Sequence, residues 1–300
     1  MSNRINKKDL DLLLSYQKTL SRAEISEILG VSESLARTYR GILDNFDQID
    51  PIEIRKSQIK TYIVSGCWHV PFHNKTLYSG FKSLVRDVNP DGFVIAGDFI
   101  DAGSLGEYER GKMSHTGITL EDEYNAANVV LDEIDSILKE DCQKFYLWGN
   151  HCNRYHRWKA DVNNSKYGDL LNPTKAMKLI ERGYSVYEDY QNDYIELGSL
   201  QVFHGYYYNI HVAKKHLDTL RRNSMFVHTH REQMYREGKF ASWNIGFMGD
   251  INAACFSYAP RTMRESWANS FALVHLTEKD FFVEPINVVN SHFIYGCKRY

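Results

Sequence analysis

From residue 58 onward, hydrophobic positions fall into short β-branched runs that end in polar clusters, with stretches of helical period between them. IKTYIVSG, DGFVIAGD, KFYLWGNH, SLQVFHG and SMFVHTH read as strands, and 75–88 and 121–139 read as helices. The stretch between the third and fourth strands reads as helical. Strand–helix alternation predicts an α/β layered core. In such sheets, ligands bind beyond the carboxyl ends of the strands. Before residue 58 the pattern differs: 7–43 carries a helical period almost throughout.

Within that front segment a first helix carries Leu10, Leu13, Leu14 and Tyr16. Ser21, with Glu24 three positions on, forms a capping box for a second helix whose inward face is Ala23, Ile25, Ile28 and Leu29. Gly30 supplies the sharp turn, since only glycine adopts positive φ without penalty, and Ser32 caps a third helix. The segment SRAEISEILGVSESLARTYR resembles the DNA-binding helix-turn-helix family. The resemblance makes the third helix the reading helix, with Ser32, Ser34, Arg37, Thr38 and Arg40 outward, types suited to phosphate and base-edge contacts. Basic and acidic residues balance up to Lys56, so a protein-docking or dimerisation unit is the alternative. The polar stretch NFDQIDPIEIRKS, which contains Pro51, holds the linker. The expected organisation is a small all-α helix-turn-helix domain over 1–46, a linker over 47–57 and a second domain over 58–300.

The 300 residues are 43% hydrophobic, enough for one large core and a small extra module. A net charge of -2, from 36 basic and 38 acidic residues, provides no global positive field, so any nucleic-acid contact rests on local patches. The five cysteines contain no C-x-x-C pair and do not read as a disulfide framework. The N-terminus lacks the apolar run of a signal peptide, and no stretch is long enough to span a membrane. The expectation is a soluble cytoplasmic protein without a membrane partner. The layout suits a bacterial or phage protein, the latter acting in the host cytoplasm.

Candidate chemistry gathers at the strand ends. In order they finish in Cys67-Trp68-His69, Gly97-Asp98-Phe99-Ile100-Asp101, Gly149-Asn150-His151, His204-Gly205 and His228-Thr229-His230. One such end is weak evidence, because a lone histidine is more often a surface or satisfied core residue. Five in succession are hard to explain by packing. Burying so many polar groups together costs several kcal/mol unless something satisfies them, and a metal pair does so. Imidazole and carboxylate donors suit zinc, manganese or iron. Two ions ~3.5–4 Å apart clamp the attacking and leaving oxygens of an in-line displacement and supply a water nucleophile near neutral pH.

The order D-x-H, G-D-x-x-D, G-N-H, H and G-H-x-H resembles the calcineurin-like metallophosphoesterases, from about Ile59 to Arg231. The resemblance implies a β-sandwich flanked by helices and two divalent metal ions (Mn, Zn or Fe). It implies that His69 binds the first metal, Asp98 bridges, and Asn150, His204 and His228 bind the second, with His230 returning to the first. His151 would stabilise the phosphoryl group or protonate the leaving oxygen, and Asp101 would orient a ligand or His151. The family's first aspartate falls on Cys67. This residue either ligates as a thiolate, favouring zinc or iron over manganese, or packs as a small buried residue without a metal contact. The second departure is Val227, where the family has glycine.

After the third strand end, Arg154 and Arg157 read as a phosphate clamp at the start of a helix, or as a solvated helix face. Arg261 and Arg264 form a second basic pair. The insertion 102–119, with His115, is placed to wall the cleft. Tyr206, Tyr207 and Tyr208 read as core, with base stacking as the alternative. The expected function is a metal-dependent phosphoesterase, a phosphodiesterase or nuclease acting on nucleic acid or nucleotides. The alternatives are a phosphomonoesterase, including a protein phosphatase, with a protein-docking front module, and a non-catalytic DNA-binding regulator with a degraded site.

Overall fold

Ile63 and Val64 are neighbours in sequence yet pack into different cores. Side chains alternate across a strand, so β1 (Lys60–Ser65) turns one to each face. The computed structural model that reveals this describes residues 12–13, 20–48, 59–106 and 117–300. Leu10, Leu14 and Tyr16, the linker residues 49–57 and His115 of the insertion lie outside the described residues. The chain divides into two units, Met1–Ser57 and Gln58–Tyr300.

In the first unit, α1 (Arg22–Leu29) and α2 (Glu33–Gln48) are joined through Gly30 at φ 60°. Ser21 and Glu24 close a reciprocal capping box, and Leu35 N donates to Ser32 Oγ at 3.4 Å. The core gathers Leu13, Leu20, Ile25, Ala36, Tyr39 and Leu43. Ala23 is exposed rather than inward, because Ile25 with the partly buried Ile28 and Leu29 already fills that face. The α2 helix continues through Asn45 to Gln48, two residues into the stretch read as linker.

In the second unit the strands after β1 are β2 (Gly92–Ile95), β3 (Gln143–Leu147), β4 (Tyr184–Tyr187), β5 (Ile195–Leu197) and β6 (Leu200–Val202). They continue with β7 (Asn223–Phe226), β8 (Glu232–Glu237), β9 (Phe240–Ile245), β10 (Ser270–Leu276) and β11 (Phe281–Asn287). A six-stranded sheet has the order β11-β10-β1-β2-β3-β4, a five-stranded sheet the order β5-β6-β7-β9-β8, and Ile294–Tyr295 pairs with Lys298–Arg299 in a short separate ladder. Strands β1 to β4 run parallel, so their carboxyl ends share one edge. The parallel trio β6, β7 and β9 does the same in the second sheet.

Val64, Val94 and Leu147 from the first sheet meet Leu200, Val202, Met225 and Trp243 from the second in a dry layer between the sheets. The outer face of the first sheet carries α3 (Lys75–Val88) and α4 (Leu120–Asp135) through Leu77, Phe81, Leu84, Ala127, Leu131 and Ile134. Asn74 caps α3 by accepting Leu77 N at 3.1 Å. Each fully buried Leu or Phe on that face contributes roughly 1.5–3 kcal/mol. α5 (Arg154–Ala160) follows β3. On the far sheet, α6 (Val212–Leu220) covers Phe203 and Phe226. The architecture is the β-sandwich flanked by helices. The stretch read as wholly helical after β3 also contains β4 and β5, which run only four and three residues, too short to establish a period.

Candidate metal centre

The five polar strand ends meet in one place. Cys67, His69, Asp98, His204 and His230 are all buried side by side, and Asn150 and His228 face them. The backbone is forced to deliver them. Cys67, His69, Asp98, His228 and His230 have φ of 48°, 51°, 47°, 75° and 59°, in the left-handed region that costs non-glycine residues free energy and clusters at functional sites. The glycines beside them are required by space. A Cβ at Gly97 would lie 2.4 Å from His204 Nδ1, and one at Gly149 would lie 2.0 Å from Asp98 Oδ1.

Hydrogen bonds fix the tautomers. His204 Nδ1 is 3.0 Å from the Ala96 carbonyl oxygen, so the proton sits there and Nε2 offers a lone pair. That lone pair is 3.1 Å from Asp98 Oδ2, 3.0 Å from Asn150 Oδ1 and 3.1 Å from His228 Nδ1. A ring nitrogen, a carboxylate oxygen and an amide oxygen thus converge beside a second imidazole, a set that repels itself unless a proton or a metal cation stands between. His69 shows the same logic. Its Nδ1 lies 3.0 Å from Asp101 Oδ1, which leaves Nε2 bare and 3.1 Å from His230 Nε2. The ligand atoms of Cys67, His69 and His230 lie within 4.8 Å of one another, as do those of Cys67, Asp98 and His204. The donor set therefore fits divalent cations in two adjoining groups.

Cys67 points its sulfur into this cluster, where Sγ accepts the His228 backbone N–H at 3.2 Å. Burial, with the Asp98 charge adding, pushes its thiol well above the ordinary range in the metal-free chain. Asp98 moves the other way. Burial opposes its ionisation, but the surrounding His204, His151 and His69 outweigh that and hold it well below the ordinary carboxylate range. Burial, and then the neighbouring His204, push His228 down to about 3, and burial, with His69 beside it, pushes His230 well down. Both imidazoles are thereby kept neutral, the form that binds metal.

His151 is buried at the edge of the cluster. Its backbone N–H donates to Asp98 Oδ1 at 2.9 Å, and its Nδ1 donates to the Asp101 carbonyl oxygen at 2.6 Å. Burial and the Arg154 charge lower its pKa, but Asp98 and Asp101 overcome them and leave it raised. Arg154 donates to the carbonyls of Asp101 and Ala102 at 3.0 and 3.3 Å, and its Nη2 lies 3.4 Å from His151 Nε2. A cleft of about 500 Å³ opens over the cluster, and Arg154, Arg231, Tyr208 and Tyr258 help line it. Arg157 is exposed on α5, Arg261 pairs with Glu265 at 3.0 Å, and Arg264 donates to the Ile251 carbonyl at 3.1 Å.

Val227, the second departure, is fully buried with its methyls against Gly66, where a Cβ would approach them to 3.0 Å. Gly66 gives it room, and His228 and His230, which follow it, stay in the cluster. Tyr206 and Tyr207 pack beside Phe203, but Tyr208 does not belong to the core: it is 72% exposed with its ring 4.7 Å from that of His228. In the first unit Ser32, Ser34, Arg37 and Thr38 are exposed, whereas Arg40 turns back to donate to the Leu20 carbonyl at 2.6 Å.

One buried acid escaped the sequence reading. Glu123, in the first turn of α4, accepts Ala102 N at 2.5 Å and Gly103 N at 3.1 Å, directly behind Asp101. Burial, then the Asp101 charge, pushes it up to about 8. Acidic residues are ordinary in a first turn, so nothing local marked it. Trp267, edge-on to His230 at 4.5 Å, was equally unmarked.

A sandwich of two sheets with a metal-ligating cluster at its parallel strand ends defines a metallophosphoesterase, a hydrolase of phosphate esters. The chain belongs to the calcineurin-like phosphoesterase family, whose model matches residues 60–272. Enzymes of this family use divalent metals, and the clusters around Cys67, His69 and Asp98 are where this chain would hold them. Among solved structures it is similar to vacuolar protein sorting 29 from Cryptosporidium parvum, at 12% identity over 81% of this chain and 98% of that one, with a TM-score of 0.43. Zinc-complexed Vps29 from Entamoeba histolytica aligns at 11% identity over 80% and 98% of the two chains, TM-score 0.43. A predicted phosphoesterase from Streptococcus pneumoniae TIGR4 aligns at 16% over 81% and 97%, TM-score 0.33. No curated protein matches the sequence. Among the described residues, no helix is long and apolar enough to cross a membrane.

Proposed function

We propose that this protein is a metal-dependent phosphodiesterase acting on nucleic acid or nucleotides, with two divalent ions held by Cys67, His69, Asp98, Asn150, His204, His228 and His230. The observation that carries this reading is the convergence of the His204 lone pair, Asp98 Oδ2 and Asn150 Oδ1 within about 3 Å beneath an open cleft. When bound, the ions supply charge neutralisation at the phosphoryl oxygens and an activated water.

The remaining work falls to side chains. Asp98, with Cys67 and His204, forms one ligand group, and Cys67 joins it to the group of His69 and His230. His151, locked by the Asp101 carbonyl, presents Nε2 to the cleft, where it stabilises the phosphoryl oxygens or hands a proton to the leaving oxygen. Arg154, anchored on the Asp101 and Ala102 carbonyls, lends positive charge next to His151. In the front unit, Ser32, Ser34, Arg37 and Thr38 on and beside α2 would meet the nucleic-acid backbone and bring substrate to the enzyme.

The test is hydrolysis of bis-p-nitrophenyl phosphate, DNA and RNA by the purified full chain supplied with manganese or zinc. Activity lost in Asp98→Ala, with the fold retained by circular dichroism, is the expected outcome. Inertness of folded protein with each metal on each substrate sinks the proposal. Faster turnover of p-nitrophenyl phosphate than of its diester would favour a phosphomonoesterase instead.

A further inference from the structure

Aromatic side chains stand over both halves of the ligand cluster. Tyr208 leans on His228, its ring centroid 4.7 Å away, on the side of Asn150 and His204. Trp267 stands edge-on to His230 at 4.5 Å, on the side of His69. Both line the cleft, together with Tyr258. Tyr208 is 72% exposed and Tyr258 51% exposed, high for large rings beside a buried polar centre. Clustered exposed apolar surface edged by polar groups marks a binding site rather than ordinary surface.

The two walls are also tied together. Arg231, itself in the cleft lining, donates through Nε to Ser266 Oγ at 3.2 Å and through Nη1 to the Asn209 carbonyl at 3.4 Å. Asn209 follows Tyr208, and Ser266 precedes Trp267. A single guanidinium therefore braces the segment carrying one ring to the segment carrying the other. Such bracing holds the rings apart at low entropy cost before any ligand arrives.

A phosphate lying over the ligand cluster would have one ester substituent near Tyr208 and the other near Trp267 and Tyr258. A monoester would leave one wall unused. Flat aromatic walls accept any base by its π-face without reading its sequence. Bases in a duplex are already stacked on one another and offer no free face, whereas an unpaired strand splays them.

Resting on the phosphodiesterase reading above, we infer that the substrate is single-stranded nucleic acid, its scissile phosphate flanked by two unpaired bases, one stacked on Tyr208 and the other received by Trp267 and Tyr258. Arg154 and Arg231 lie along the strand's path and supply the local positive charge that the whole chain, at a net charge of -2, lacks.

The test uses the full chain supplied with manganese and measures steady-state hydrolysis of bis-p-nitrophenyl phosphate, a single-stranded oligothymidylate and the same strand in a duplex. The expected result is a higher kcat/KM for the single strand than for the duplex. Tyr208→Ala should raise KM for the single strand roughly ten-fold, the scale of one lost base stack, and Tyr208→Phe should restore it. Equal kcat/KM for single strand and duplex in the wild type overturns the assignment without any variant. So does an unchanged KM in Tyr208→Ala, or a folded Tyr208→Phe that fails to restore. Hydrolysis of the small diester with no preference for the single strand removes only the substrate class. Inertness on the small diester as well removes the phosphodiesterase reading with it.

Discussion

His151 Nδ1 lies 2.6 Å from the carbonyl oxygen of Asp101, while the carboxylate of the same Asp101 lies 3.0 Å from His69 Nδ1. One residue therefore sets two imidazoles: its carbonyl and, at 3.4 Å, its carboxylate hold His151, and the same carboxylate holds His69. The carboxylate is held well below its ordinary range: burial opposes the charge, but His151 and His69 outweigh it.

Removing the Asp101 side chain should test how much the carboxylate, as distinct from the carbonyl, contributes to this positioning. Asp101→Ala keeps the carbonyl but frees the His69 ring and its tautomer. Partners of this kind are typically worth 10–100-fold in metal affinity or activity, so a loss of about that size is expected. Metal titration by calorimetry, alongside kcat on a small diester, checks it. Unchanged metal affinity would remove Asp101 from the positioning role.

The proposed ligation by Cys67 predicts a metal preference. A thiolate favours zinc and iron, and an aspartate in its place favours manganese. Elemental analysis after loading with an equimolar zinc and manganese mixture should show zinc dominant in the wild type and a shift towards manganese in Cys67→Asp. Identical metal content in the two proteins would mean that the sulfur, despite its position, is not a ligand.

Glu123 supports the site from behind. Glu123→Ala would strand the backbone N–H groups of Ala102 and Gly103, at about 1–3 kcal/mol for each buried donor left unpaired. A loss of about 2 kcal/mol or more in the unfolding free energy measured by urea denaturation is expected, with a lower kcat because the Asp101 carbonyl loses its support. Glu123→Gln keeps acceptor capacity and should lie between. A variant as stable and active as the wild type would show that water replaces the carboxylate.

His216 gives the fold an acid-sensitive joint. It is fully buried, donates from Nδ1 to the Val212 carbonyl at 2.9 Å and accepts the Tyr206 N–H on Nε2 at 3.1 Å, a pattern that requires the neutral ring. Burial pushes its pKa down to about 4. The unfolded chain protonates this residue near its ordinary value of 6.5, so between there and about 4 the unfolded state binds more protons and stability falls as pH falls. The slope is about 1.4 kcal/mol per pH unit for this group. Denaturation at pH 7 and pH 4.5 should show a smaller loss in His216→Gln than in the wild type. Parallel losses in the two would assign the acid sensitivity elsewhere.

The order of the clustered polar residues was legible because each rule behind it is local. A β-branched run makes a strand, a glycine clears space beside the next side chain, and the polar residue that follows stands at the strand end. Ser21 and Glu24 likewise announced α1 through a cap that spans three residues. The strands β4 and β5 were illegible because a period needs more residues than they have.

What the sequence by itself determined is the set of groups placed at the carboxyl ends of strands: five strand ends, the histidines, Asp98 and Asn150. The tertiary structure alone decided how they are used. It turned Cys67 Sγ into the cluster rather than away, tied Arg40 to Leu20, brought Glu123 behind Asp101, and left Tyr208 out of the core. The physical reason is range. Steric and capping rules act over a few residues, whereas burial, charge pairing and the direction of a side chain depend on segments tens to hundreds of residues away that pack against it.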